Sequence, residues 1–275
     1  LTLASESRAT DQPESIDKLL IDSPGGKTLE DNTDHFIKRG RVEQLCPWCA
    51  AQALLTLQLN APSGGRGHRV GLRGGGPVST IILGEDLWQT LWSNVLDEKR
   101  FHDLATASKV DDSDKFPWCG RTRTSTHDEA TTARDIHPAQ IYWSMPRRIH
   151  LLFKPERSRC ELCGDSCDVT IEKYLTKPYG VMYRGVVHPL TPTYTHEGEL
   201  LSAHQHEAAS YKYWLGYVQT LSDEKRKTSD AVNQVMSRRI TDFRLWAFGY
   251  DMDNMKARCW HEGVMPVVTI EDEGI

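Results

Sequence analysis

Leu45-Cys46-Pro47-Trp48-Cys49-Ala50-Ala51-Gln52-Ala53-Leu54-Leu55-Thr56-Leu57-Gln58-Leu59 opens on a Cys-x-x-Cys pair and runs straight into a helical period. Pro47 suits the first helical position, and Ala50, Ala53, Leu54 and Leu57 share one face, so a helix is predicted over 47–59 and stops before Ala61-Pro62. A second pair, Cys160-Glu161-Leu162-Cys163, lies far downstream and is followed by Gly164, which suits the tight bend of a thiolate knuckle. Zinc takes four soft ligands in a tetrahedron, and two such pairs supply them. The separation is too long for a compact zinc ribbon and fits a staple between distant segments. Cys46, Cys49, Cys160 and Cys163 are therefore the expected ligands of one structural zinc. Cys-Pro-Trp-Cys also fits a thiol redox centre. Such a centre should follow a buried strand, whereas residues 37–45 are charged, and it leaves the second pair without a role. Cys119, Cys167 and Cys259 complete an odd count of seven cysteines, which is not a secreted disulfide framework. Cys167 is near enough in sequence to be an alternative ligand.

Beyond the helix comes Ser63-Gly64-Gly65-Arg66-Gly67, then Gly71 and Gly74-Gly75-Gly76. Glycine at that density belongs to neither helix nor core strand, because each forfeits backbone entropy and packs nothing. A buried strand is predicted at 78–83, followed by a helix with a broad apolar face of Leu87, Trp88, Leu91, Trp92, Val95 and Leu96. Residues 97–135 carry little pattern and read as long loops. A strand at 149–153 enters the second cysteine pair. Helices are predicted at 15–22, 207–220 and 230–236, and a closing hairpin over about 242–262, with strands 244–250 and 258–261 around a turn at 251–256. Scattered short strands among helices point to an α+β fold, one irregular domain over 1–275 with zinc-linked segments 46–49 and 160–163.

The chain carries 33 Lys and Arg against 38 Asp and Glu, a net charge of −5, which argues against coating nucleic acid by bulk charge. Local basic strips exist at Arg66, His68, Arg69 and Arg73, and at Arg147, Arg148, Lys154, Arg157 and Arg159. Nothing approaches a membrane span or a signal peptide, so a cytoplasmic address without membrane contact is expected. No His-Glu-x-x-His, Gly-x-Ser-x-Gly or Walker loop is present, and no enzymatic activity is expected. One alternative is a zinc-dependent nucleic-acid hydrolase built on His196, His204 and His206 with Glu197 and Glu199.

Leu45-Cys46-x-x-Cys49, Ala61-Pro62, the glycine loop, Gly71-Leu72-Arg73-Gly74-Gly75-x-Pro77-Val78-x-Thr80, Asp86-Leu87 and Asn94-Val95-Leu96 keep a distinctive order. Trp143-x-x-Pro146, the second cysteine pair, His188-Pro189 and Gly249-Tyr250 continue it. In this the chain resembles the CasA-type large subunit of the type I-E CRISPR Cascade surveillance complex. That family extends before Leu1 and carries a C-terminal helical bundle after Ile275, so the resemblance implies a partial chain. It further implies a non-catalytic subunit that reads the protospacer-adjacent motif of double-stranded DNA through the minor groove and starts duplex opening, while guide RNA reads sequence by pairing.

Residue by residue, the resemblance assigns the motif-reading loop to Ser63, Gly64, Gly65, Arg66 and Gly67, with Arg66 in place of a family glycine. It assigns a lysine finger to Lys177, and a wedge at the hairpin tip to Asp253, Asn254 and Met255, with Asn254 where the family often has glutamine. Phe36 falls in a loop that contacts the 5′ handle of the guide RNA. The implied partners are target DNA, guide RNA, the other Cascade subunits, and a separate helicase–nuclease recruited after target binding.

Overall fold

A computed structural model describes residues 12–32, 42–65, 67–105, 112–120, 122–206, 211–220, 226–238, 243–253 and 256–267. The architecture is α+β, with short strands and few helices. Two antiparallel three-stranded sheets position the site. In the first, Thr170–Lys177 is central, flanked by Arg148–Lys154 and by Glu14–Ser15. In the second, Arg244–Asp253 lies between Ser79–Leu83 and Lys256–Pro266.

The helix begun by the first cysteine pair spans Pro47–Asn60. Cys46 caps it, its sulfur accepting from the Cys49 amide at 3.4 Å, and Pro47 fills the first turn, where an amide would have no intrahelical partner. Ala50, Leu54 and Leu57 bury the predicted face against Ile16, Leu19, Ile149, Leu151 and Ile171, joining the helix to the first sheet. A second apolar cluster, with Ile82, Leu245 and Ala247 of the second sheet, packs against Trp214, Tyr217 and the Asp230–Ser237 helix.

Several expectations are revised. The 15–22 helix is a single 3-10 turn, Ile16–Leu19, in which the Ser15 side chain makes no cap bond. The 97–135 region contains a Glu98–Asp103 helix, capped by Asp97 accepting from the Arg100 amide at 2.9 Å. The closing hairpin is longer than read, because Asp251 is not in a turn. It sits buried in the strand, its two oxygens each 2.8 Å from Arg258 Nη2 on the return strand, which neutralises it, and pairing resumes after a register shift between Asp251 and Met252.

The helix at Leu87–Ser93 turns its apolar face outward. Leu87 is 73% and Trp88 67% exposed, with Leu91, Trp92 and Val95 also in solvent, and only Leu96 is buried. The polar side makes the attachment instead. Asn94 bonds both backbone groups of Ile82, at 3.0 and 2.8 Å, and Thr90 Oγ1 accepts from the Gly84 amide at 3.0 Å. Among the described residues, no helix is long and apolar enough to cross a membrane.

Candidate metal centre and nucleic-acid interface

The four predicted cysteines meet. Their sulfurs all lie within 4.8 Å of one another, and Cys46 Sγ is 3.9 Å from Cys163 Sγ. A tetrahedral thiolate site with metal–sulfur bonds of about 2.3 Å has edges of about 3.8 Å, so this spacing fits one ion. A disulfide, at about 2.05 Å between sulfurs, is not what it shows.

Backbone pairing brings the two knuckles together. Leu45 and Ile171 exchange both hydrogen bonds, at 3.0 and 2.9 Å, and the Glu161 carboxylate accepts from the amides of Glu43 and Gln44. Gly164 adopts φ +81°, the left-handed turn that a knuckle requires there. Burial pushes the Cys160 thiol up, but hydrogen bonds from the backbone at Cys163, Cys46 and Leu162 outweigh it and bring it to about 6. Burial raises the Cys49 thiol, so a cation is needed to hold that side chain as thiolate. Cys167 stands outside the four, directed at the Ser158 carbonyl at 3.6 Å.

The glycine loop follows directly from the helix. Ser63, Gly64 and Gly65 are exposed. Gly64 and His68 close the loop on itself, the Gly64 amide donating to His68 O at 3.2 Å and the His68 amide to Gly65 O at 3.1 Å. Gly65 has φ +90° with nothing within 4 Å of where a Cβ would stand, whereas at Gly67 a Cβ would meet Pro178 at 2.6 Å. The same contact carries a hydrogen bond, Tyr179 N to Gly67 O at 2.6 Å. Lys177, the last residue of its strand, precedes Pro178, so loop and lysine are neighbours.

The hairpin joins them through the second glycine run. A Cβ on Gly75 would fall 2.7 Å from Pro62, and one on Gly76 would fall 2.3 Å from Tyr250 O and 2.6 Å from Met252. Asp253 is exposed at the end of its strand. Arg66, Asn254, Met255 and Phe36 lie outside the described residues.

Two residues hold the loop: Gln58, which the sequence reading did not single out, and Arg147, which it placed in a basic strip. Gln58, fully buried, clasps the backbone of Arg147: its Nε2 donates to Arg147 O and its Oε1 accepts from Arg147 N, both at 2.9 Å. Arg147 in turn donates from Nη2 to Pro62 O at 2.6 Å and from Nε to Arg69 O at 3.5 Å, bracketing the loop, and its guanidinium fills the space where a Cβ on Gly64 would stand. A signal existed for Gln58, a polar residue one turn after Leu54 on the buried face. The basic strips do not hold together as surface. Arg73 is buried against Ser79 Oγ and Thr191 Oγ1, at 2.7 and 3.0 Å, and Arg69 is held by Ser125 and Asp128.

The residues of the alternative hydrolase do not assemble into one site, although His204 and His206 lie with ring centroids 6.5 Å apart. His196 is exposed and pairs in register with Glu199, and His204 Nδ1 is 2.8 Å from Gly75 O. They are absent from the groups that bring three metal-ligating side chains together among the described residues.

Residues 4–274 match the model of the family described as CRISPR-associated protein Cse1. Among solved structures, the chain is similar to a CRISPR-associated protein from Thermus thermophilus, with TM-score 0.53 and 17% identity over 97% of this chain and 51% of that one. It is similar to Thermus thermophilus CasA (Cse1), with TM-score 0.51 and 18% identity over 97% and 53% of the two chains. It also resembles a chain of a CRISPR RNA-guided surveillance complex, with TM-score 0.50 and 18% identity over 82% and 45%. The chain thus spans about half the length of the solved structures it matches.

Proposed function

The chain belongs to the CRISPR-associated protein Cse1 family, and from that premise we propose that it is a DNA-recognition subunit of an RNA-guided antiviral complex, without activity of its own. It reads a short motif beside the target through the minor groove and starts opening of the duplex. Its partners are double-stranded DNA, the guide RNA 5′ handle, the other Cascade subunits and a separate helicase–nuclease, in the cytoplasm. The reading is supported above all by the convergence of three sequence-distant elements: the exposed loop Ser63–Gly65, the strand end at Lys177, and the Arg244–Pro266 hairpin joined through Gly76.

The chemistry suits a groove. Every base pair offers acceptors on its minor-groove edge, and a lysine ammonium donates to them tolerantly. A loop without side chains lets backbone groups approach those edges closely. The hairpin end at Asp253, Asn254 and Met255 supplies the wedge, and a wedge must displace a stacked pair at a cost of a few kcal/mol. Cys46, Cys49, Cys160 and Cys163 hold one zinc. With four protein thiolates it has no open position, so its role is structural. Phe36 and the guide RNA handle complete the reading.

The test is Lys177→Ala in the full-length subunit assembled with its guide complex. Binding to a motif-bearing duplex is expected to weaken about tenfold, as for loss of one charge-assisted contact, while binding to a single-stranded target complementary to the guide stays unchanged. Equal losses on both substrates, or none on the duplex, refute the reading.

A further inference from the structure

A cavity of about 260 Å³ opens under the glycine loop, between the loop and the start of the chain. Its wall includes Gly64 itself, with Lys18, His68, Arg147, Tyr174 and a single carboxylate, Glu14. Arg147 donates only to main-chain carbonyls and has no carboxylate partner among the described residues. Lys18, in the 3-10 turn, is paired with Glu14 of the preceding strand, both partly exposed at the rim. His68 adds no charge at neutral pH: burial lowers its affinity for a proton, Arg147 lowers it further, and only Glu14 opposes. Among the described residues that line the cavity there are two cations and one carboxylate, with Asp17 just behind Tyr174, and the more buried cation, Arg147, has no carboxylate partner among them. A half-buried guanidinium in that position gains more from an incoming anion than a surface one does, because less water screens the pair.

The shape of a duplex says which anion arrives. The minor groove is only about 6 Å wide and is walled by the two phosphate rows. A loop that enters it at Ser63–Gly65 must carry a phosphate row along each flank, and Gly64 is shared by loop and cavity. We infer that this cavity seats one DNA backbone phosphate beside the motif, with Arg147 and Lys18 as its cationic donors. The inference rests on the function proposed above and adds a sequence-independent anchor to it. Arg147 then has two tasks, bracketing the loop through Pro62 and Arg69 and meeting the phosphate. Glu14 competes for Lys18 until DNA arrives.

The experiment is a salt titration of duplex affinity in the full-length subunit assembled with its guide complex. Lys18→Met, Glu14→Gln and Arg147→Met are compared with wild type on motif-bearing duplex, motif-free duplex and single-stranded target. Each phosphate contact contributes about 0.9 to the slope of log affinity against log salt, so between about 50 and 200 mM one lost contact makes the change in duplex affinity about 3.5-fold smaller. That shallower slope is expected for Lys18→Met and Arg147→Met on both duplexes alike. Glu14→Gln is expected to bind duplex more tightly at low salt and single strands as wild type does. Either an unchanged slope in Lys18→Met or an unchanged duplex affinity in Glu14→Gln overturns the phosphate seat. These two substitute rim side chains, so the test survives if Arg147→Met fails to fold. Lys177→Ala in the same series separates the two ideas: it reports motif preference, and the slopes report the cavity.

Discussion

Gly65→Ala isolates the loop's contact with a ligand from its contribution to the fold. The backbone there has φ +90°, and a Cβ would touch nothing within 4 Å. The folded subunit therefore incurs only the left-handed penalty, about 1–2 kcal/mol, a melting shift of a few degrees. Gly67→Ala is the contrasting control, because its Cβ would lie 2.6 Å from Pro178 and would push the loop away from the lysine strand. If Ser63–Gly65 lies against base edges, the added methyl at residue 65 points into the space the duplex needs. Losing two backbone contacts at about 0.5–1.5 kcal/mol each weakens duplex binding by about 5- to 150-fold. The assay is equilibrium binding to motif-bearing duplex and to single-stranded target, alongside a thermal melt. A Gly65→Ala protein that binds both substrates as wild type does, with only the small melting shift, refutes the argument.

Cys160→Ser is expected to remove metal and stability together: elemental analysis should fall from one zinc per subunit to none, with several kcal/mol lost, since thiolate zinc sites bind with roughly 10–16 kcal/mol. A variant that keeps its metal, or melts as wild type without it, contradicts the staple. His188 gives a pH prediction. It is fully buried beside Arg73, and burial first, then that positive charge, holds it well below its ordinary value. The unfolded chain takes up a proton near pH 6.5 that the native state refuses. Stability is thus complete above about pH 6.5 and falls below it by about 1.4 kcal/mol per pH unit until the native ring itself titrates. His188→Asn keeps an acceptor for the Leu190 amide, now 3.2 Å from Nδ1, and is expected to flatten that slope in denaturant melts between about pH 6.5 and 5. The same slope in the variant rules out His188 as its source.

The thiolate cluster, the Pro47–Asn60 helix and the existence of a closing hairpin were legible because each rests on local chemistry: ligand spacing, a proline-led turn, alternating strands. Orientation was not. Periodicity gave the helix at Leu87 an apolar face but not its direction, which Thr90 and Asn94 decide by gripping the edge of the sheet. The turn assigned to residues 251–256 failed because Asp251 reads as solvent-seeking until its bidentate partner Arg258 is known, and that partner comes from pairing across strands. Arg73 and Arg147 were counted with surface charge for the same reason: their acceptors are Ser79, Thr191, Pro62 and Arg69, which no spacing rule connects to them.

The Pro47–Asn60 helix starts on one thiol and ends three residues short of Ser63, and near its far end Gln58 clasps the segment that brackets the loop. Fourteen residues at 1.5 Å each make a rod of about 21 Å. Oxidation at its near end would remove thiolate ligands and unfasten a helix whose far end carries the clasp on the segment that holds Gly64. If the loop reads DNA as proposed, redox injury to the cysteines would cost stability and recognition together.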